Sequence, residues 1–134
     1  EKDIILRNFN KAKNFYKNSE KSSIQSQDPI AIVKNMVGEL KRSMDKVITS
    51  TGDDSLRQFR AKYFSRSLVI IYTLQTTLDF DKGQELAAKL FQLYEFCRQQ
   101  LIKCFREQVV EGVKKAMNAL EEIFIINKMS KNER

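Results

Sequence analysis

Histidine is absent from this chain of 134 residues, and cysteine occurs only twice, as Cys97 and Cys104. Without histidine, the chain cannot form the Ser-His or Cys-His pairs that activate a nucleophile. The two cysteines form no C-x-x-C pair, so a zinc site lacks ligands. On a predicted helix they are about 10.5 Å of rise apart, which is too far for a disulfide between them. We therefore expect two reduced core cysteines, no metal site and no enzymatic activity.

Glycine and proline are also scarce, with 4 and 1 residues respectively. A many-stranded sandwich or barrel needs more turn-forming residues, so long helices are favoured. None of the glycines belongs to the G-x-x-x-x-G-K pattern of a phosphate-binding loop. No apolar run approaches the roughly 18 residues of a membrane span, and the amino terminus shows no signal-peptide pattern. We expect a cytoplasmic protein with no membrane insertion, no cofactor and no small-molecule substrate.

Positive charge is concentrated in the first half of the chain. Residues 1–66 hold 14 Lys+Arg against 8 Asp+Glu, whereas residues 67–134 hold 10 against 9, so the net charge of +7 divides into +6 and +1. A basic half can attract nucleic acid, anionic lipid or an acidic partner, and charge alone does not decide among them. On the solvated faces of helices, however, such a run of basic residues is usually only solubilising.

Apolar periodicity predicts four helices with short connections. Asp28 and Pro29 form a helix start, because aspartate can cap the free amides of the first turn and proline lacks the amide that would be orphaned there. Asp53 or Asp54 is expected to cap a second helix. Asp79 and Asp81 are expected to cap the helix after it and to pair with its amino-terminal dipole. The predicted helices run from Pro29 to about Ser50, from about Asp54 to Leu78, from Gly83 to about Glu107, and from near Gln108 through Ile123.

These four helices predict an all-α, antiparallel four-helix bundle within a single domain. Residues 28–128 form the bundle, residues 129–134 a tail, and residues 1–27 an arm and linker. In the arm, Ile5, Phe9 and Tyr16 recur at helical spacing, which predicts a short amino-terminal helix. The Ser-, Gln- and charge-rich stretch that follows has no sustained apolar period and is predicted to be a linker.

The second predicted helix is apolar on two faces and must therefore be covered on two sides. One side suits the bundle core, and the other suits the arm or a partner. The alternative is a central helix buried on both faces. One stripe consists of Leu56, Phe59, Tyr63, Ile70 and Leu74, and the other of Phe64, Leu68, Ile71 and Leu78.

The junction between the second and third helices carries the most specific pattern in the chain. From Leu74 through Phe80 and Gly83 to Phe96 it reads L-x3-L-D-F-x2-G-x3-A-x2-L-x2-L-Y-x-F. This string closely resembles the helix 2 to helix 3 signature of the FliS family, the export chaperones that hold flagellin before secretion. Phe15-Tyr16-Lys17 with Asn18-Ser19 resembles the family's amino-terminal aromatic-tyrosine motif, and Pro29 opens the first helix as the family's Ser/Thr-Pro does.

Several positions depart from the family pattern. Val37-Gly38-Glu39 stands where the family commonly has Tyr-Asp-Gly, Cys104-Phe105 replaces a usual Ala-Asn, and Asn127 lies near an expected tryptophan. With the basic charge, these departures suggest a divergent member or a paralogue.

The resemblance implies a protein that binds the carboxy-terminal segment of flagellin, which is disordered when alone, as helices in apolar grooves of the bundle. Binding would prevent premature polymerisation, and components of the flagellar export apparatus would be further partners. The amino-terminal arm can occupy part of this surface, which would make Ile5, Phe9, Phe15 and Tyr16 a displaceable lid. The groove residues expected from the resemblance are Phe64, Leu68, Ile71, Leu78, Phe80, Leu86, Leu90 and Tyr94.

Another class of function remains open on the residues themselves. The chain could be a structural or adaptor bundle that self-associates through the second stripe of helix 2. A weaker alternative is a nucleic-acid-binding module that uses the basic half. Phe59, Tyr63 and Phe64 could stack on bases there, although aromatics at helical spacing more often belong to a core.

Overall fold

A computed structural model describes the backbone of residues 28–132 and the side chains of residues 28–123. Four helices occupy this part of the chain, and no strand occurs in it. The predicted arm and linker, residues 1–27, lie outside the described residues. Helix α1 spans Pro29–Ser50, α2 Arg57–Thr76, α3 Phe80–Glu107 and α4 Glu111–Asn132.

The four helices form a closed ring of antiparallel neighbours. Helix α1 packs most extensively on α2, α3 packs on α4, and α2–α3 and α1–α4 contacts complete the ring. An ion pair of 2.7 Å between Lys41 Nζ and Glu121 joins the first helix to the last. This arrangement confirms the predicted all-α four-helix bundle.

The buried core contains residues from all four helices. Leu40, Met44 and Val47 of α1 are fully buried, whereas Ile30 at the start of α1 is 46% exposed. The two cysteines, Cys97 and Cys104, are buried and free, as expected. The other buried apolar side chains are Met36, Val37, Ile70, Ile71, Leu74, Ala87, Leu93, Tyr94, Leu101, Val113, Ala116 and Leu120.

Aspartate caps start α1 and α3. Asp28 Oδ1 accepts the amide of Ile30 at 3.0 Å, which confirms the predicted start of α1. Asp79 Oδ1 accepts the amides of Asp81 and Lys82 at 3.1 and 3.0 Å. This cap starts α3 at Phe80, so the prediction that the helix begins at Gly83 was wrong by one turn.

The other boundaries also differ from the prediction. Asp53 Oδ1 accepts the amide of Ser55 at 2.9 Å and initiates a 3-10 turn over Asp54–Leu56, so regular α-helix begins at Arg57. Gly52, with φ +89, provides the left-handed residue between the two helices. Helix α2 ends two residues before Leu78, and α4 continues to Asn132 rather than ending near residue 128.

Two polar residues adopt positive φ at the ends of α3. Gln84 has φ 43 and ψ −115, and it kinks the helix one turn after its start. Gln108 has φ 61 and ψ 33, and its left-handed conformation ends the helix. Because neither residue is a glycine, the sequence marks both positions poorly, and the predicted start of α4 near Gln108 was wrong by three residues.

Candidate functional site

The eight predicted groove residues fall into three groups by exposure. Ile71 and Tyr94 are 0% and 1% exposed and belong to the core. Four others are partly buried and pack against the core: Phe64, Leu68, Leu78 and Leu90. Phe80 and Leu86 are each 50% exposed. The accessible part of the predicted surface therefore excludes Ile71 and Tyr94, while the arm residues Ile5, Phe9, Phe15 and Tyr16 lie outside the described residues.

An aromatic pair lies at one end of the α2–α3 interface. The rings of Phe64 and Phe105 stack with centroids 4.2 Å apart and an interplanar angle of 13°. Phe64 is partly buried by the core, but Phe105 remains 38% exposed. The pair therefore presents one aromatic face to solvent on a rigid support.

A second aromatic pair lies at the other end of the same interface. The rings of Phe80 and Phe91 are tilted by 58° with centroids 6.1 Å apart. Gln75 Nε2 donates to the carbonyl of Phe91 at 3.4 Å, which ties the end of α2 to α3. Because α2 and α3 are antiparallel, the two pairs mark opposite ends of one surface.

We call this surface the α2–α3 strip and define it by Phe64, Leu68, Phe80, Phe91 and Phe105. Its length follows from helical geometry, since Phe91 and Phe105 are separated by about 21 Å of rise. A helix of about four turns covers that distance. The strip is therefore long enough to hold an amphipathic helix along its whole length.

Polar side chains lie on α3 between the two aromatic pairs. Arg98 binds the Glu95 carboxylate with two nitrogen atoms, one of them Nη2 at 2.9 Å from Oε2. The hydrogen bond from Arg98 lowers the pKa of Glu95, and the Gln75 amide adds a smaller contribution in the same direction. The strip thus combines apolar ends with a paired, charged centre.

Phe91, Phe105, Glu95 and Arg98 were not among the predicted site residues. Phe91, Arg98 and Phe105 follow one another at heptad spacing, which places them on the same face of α3. That spacing was a signal the sequence contained. Phe105 lies at one of the departures from the family pattern, where the structure gives it an aromatic partner on α2.

The described part of the chain contains neither a candidate metal site nor a candidate membrane-spanning helix. Among residues 28–123, no group of three or more acidic or cysteine side chains is placed to hold a metal ion. No described helix is long and apolar enough to cross a membrane.

No curated protein and no solved structure shows a significant match to this chain. The family model described as "Flagellar protein FliS" matches residues 12–125, which includes the whole α2–α3 strip. The chain therefore belongs to the FliS family, a family of flagellar export chaperones.

Proposed function

We propose that this protein binds the carboxy-terminal segment of flagellin along the α2–α3 strip and prevents its polymerisation before secretion. The observation that supports this function is the pair of accessible aromatic clusters on a member of an export chaperone family. Phe80 and Phe105 are 50% and 38% exposed, although both are large apolar side chains. Exposed apolar side chains that group on one surface mark interaction sites in soluble proteins.

The binding mode follows from the shape of the strip. A disordered segment that folds into an amphipathic helix could place apolar side chains against each aromatic pair, with a spacing set by about four helical turns. At the centre, the Glu95–Arg98 pair would face the same helix. A polar client residue opposite this pair would set the register, since an apolar residue there would desolvate two charges without compensation.

The amino-terminal arm is proposed to compete with the client. Ile5, Phe9, Phe15 and Tyr16 would cover part of the apolar surface in the free protein. With such competition, the apparent affinity for the client equals the intrinsic affinity multiplied by the fraction of protein in which the surface is open. The chain with Ile5→Ser and Phe9→Ser should therefore bind flagellin more tightly than the unmodified chain.

The family assignment also supports a cellular setting. We propose that the protein acts in the cytoplasm, where flagellin is held before export, and that components of the export apparatus receive the loaded complex. The family is one of chaperones rather than enzymes, and we propose a non-catalytic role for this member.

Isothermal titration calorimetry with the carboxy-terminal segment of flagellin from the same organism tests the proposal. We expect saturable one-to-one binding that changes little between low and moderate salt, because apolar contacts are insensitive to screening. Sedimentation of the free protein should show a monomer. Absence of binding by a folded protein, including the Ile5→Ser/Phe9→Ser variant, would contradict a flagellin client. A dimer that buries the strip would favour the self-associating bundle instead.

A further inference from the structure

A compact group of cations lies on the α1–α2 face, around the ring of Tyr63. Lys46 Nζ donates to the Tyr63 hydroxyl at 3.3 Å and lies 4.3 Å from the ring centroid. Lys62 Nζ and Arg66 Cζ lie 5.4 and 5.9 Å from the same centroid. The ring of Phe59 contacts Tyr63 at 4.8 Å and is itself 39% exposed. We call Lys46, Phe59, Lys62, Tyr63 and Arg66 the cationic face.

The cationic face is separate from the α2–α3 strip. Tyr63 reaches toward Lys46 of α1, whereas its neighbour Phe64 stacks on Phe105 of α3. Consecutive residues on a helix point about 100° apart, so the two surfaces lie on different flanks of α2. A ligand on the cationic face therefore need not compete with a helix bound along the strip.

The basic residues of α2 have no acidic partner on their own helix. Helix α2 contains four basic residues and no acidic one, and all four lie in its first half. Cations are disfavoured near a helix amino terminus, and like charges four residues apart, such as Lys62 and Arg66, repel each other. No ion pair within the described residues includes Lys46 or Lys62. The ammonium groups of Lys46 and Lys62 therefore carry positive charge that the carboxylates of a partner can meet.

We propose that the cationic face binds an acidic, amphipathic segment of a second protein. Carboxylates of that segment would meet the ammonium groups of Lys46 and Lys62, and an adjoining apolar side chain would pack on the exposed face of Phe59. The net charge of +7 favours an acidic partner over a second copy of this chain. Residues 1–27 contain six basic and three acidic residues, about +3 in total, so the arm has the wrong sign for this face.

The size and borders of the cationic face favour a protein segment over nucleic acid. All three cations lie within about 6 Å of one ring, whereas nucleic-acid binding uses charges that follow several phosphates along a backbone. Carboxylates also flank the face in the sequence. Asp45 precedes Lys46, and Asp53 and Asp54 precede α2. Repulsion from these carboxylates would oppose a continuous phosphate backbone, whereas a peptide can place its carboxylates beside Lys46 and Lys62 and uncharged residues beside the aspartates.

A fluorescent peptide tests the proposal directly, because the chain contains no tryptophan. The probe is a synthetic helical peptide with glutamates along one face, leucines beside them and a single tryptophan. We compare the unmodified protein with Lys46→Gln/Lys62→Gln and with Lys103→Gln/Lys115→Gln. The second pair removes the same charge from exposed lysines of α3 and α4. Loss of two charge pairs should weaken peptide binding about ten-fold, and the control pair should change it less than about two-fold.

Three results would overturn the proposal. The first is the absence of saturable binding at up to about 1 mM peptide, and the second is equal weakening by both double variants, which would indicate attraction by net charge alone. The third is displacement of the peptide by a single-stranded RNA of equal charge at lower concentration, which would identify a nucleic-acid surface. Flagellin titration of the Lys46→Gln/Lys62→Gln variant separates this proposal from the proposed chaperone function, because the strip is unchanged in that variant.

Discussion

Replacing Phe105 with serine should weaken binding of the flagellin segment, and the structure provides a magnitude. A phenylalanine side chain offers about 200 Å² of surface, and Phe105 is 38% exposed, so about 75 Å² remains for a client to cover. At about 25 cal/mol per Å², covering this area contributes about 2 kcal/mol. The dissociation constant should therefore rise roughly 25-fold when the ring is removed.

Phe59→Ser is the matched control for this measurement. Phe59 is 39% exposed and also contacts one aromatic ring, but it lies on a different flank of α2. The two substitutions remove the same group from similar environments, so their effects on folding should be comparable. Calorimetric titration of both variants, with thermal melts to verify folding, compares the two surfaces. If Phe59→Ser weakened flagellin binding as much as Phe105→Ser does, the assignment of the client to the α2–α3 strip would be refuted.

Three further predictions concern stability. Gln108→Gly should raise the free energy of unfolding by about 1 kcal/mol, because glycine adopts the observed φ of 61 without steric cost; an unchanged or lower urea midpoint would contradict this. Burial raises the pKa of Tyr94 to about 12 and that of Cys97 to about 12. As pH rises toward 12, the unfolded chain therefore loses protons that the folded chain retains, and stability should fall by up to about 1.4 kcal/mol per pH unit for each group. With Tyr94→Phe, stability should fall less steeply above pH 10. If the urea midpoint of this variant depended on pH as strongly as that of the unmodified protein, the raised pKa of Tyr94 would be contradicted. Arg60→Met should lower the free energy of unfolding by about 2 kcal/mol, because the buried guanidinium donates to two carbonyls of the α1–α2 turn. A urea midpoint equal to that of the unmodified protein would show that these hydrogen bonds do not stabilise the turn.

The helices were predictable because their signals are local. Asp28 and Asp79 cap the amides that follow them, and neither interaction depends on the rest of the fold. The kink at Gln84 and the exact start of α4 after Gln108 were not predicted. Both residues adopt positive φ, yet glutamine is a good helix former, so nothing in the local sequence marks either position.

The candidate site was predictable only in part. Phe80 and Leu86 proved accessible, but Ile71 and Tyr94 proved to be core residues although they share the same apolar pattern. Phe105 was not predicted as a site residue. Its heptad spacing from Phe91 marks a shared face of α3, but its contact with Phe64 on another helix exists only in the tertiary structure.

The sequence by itself determined the helical class, the order of the four helices and the family, since caps, apolar period and the junction motif act over a few residues. Tertiary structure alone decided which apolar side chains a partner can reach. Ile71 and Leu68 are one helical turn apart, yet Ile71 is fully buried and Leu68 only partly so. The physical reason is that burial depends on how many neighbouring helices cover a residue, and that coverage is set by packing between segments distant in the chain.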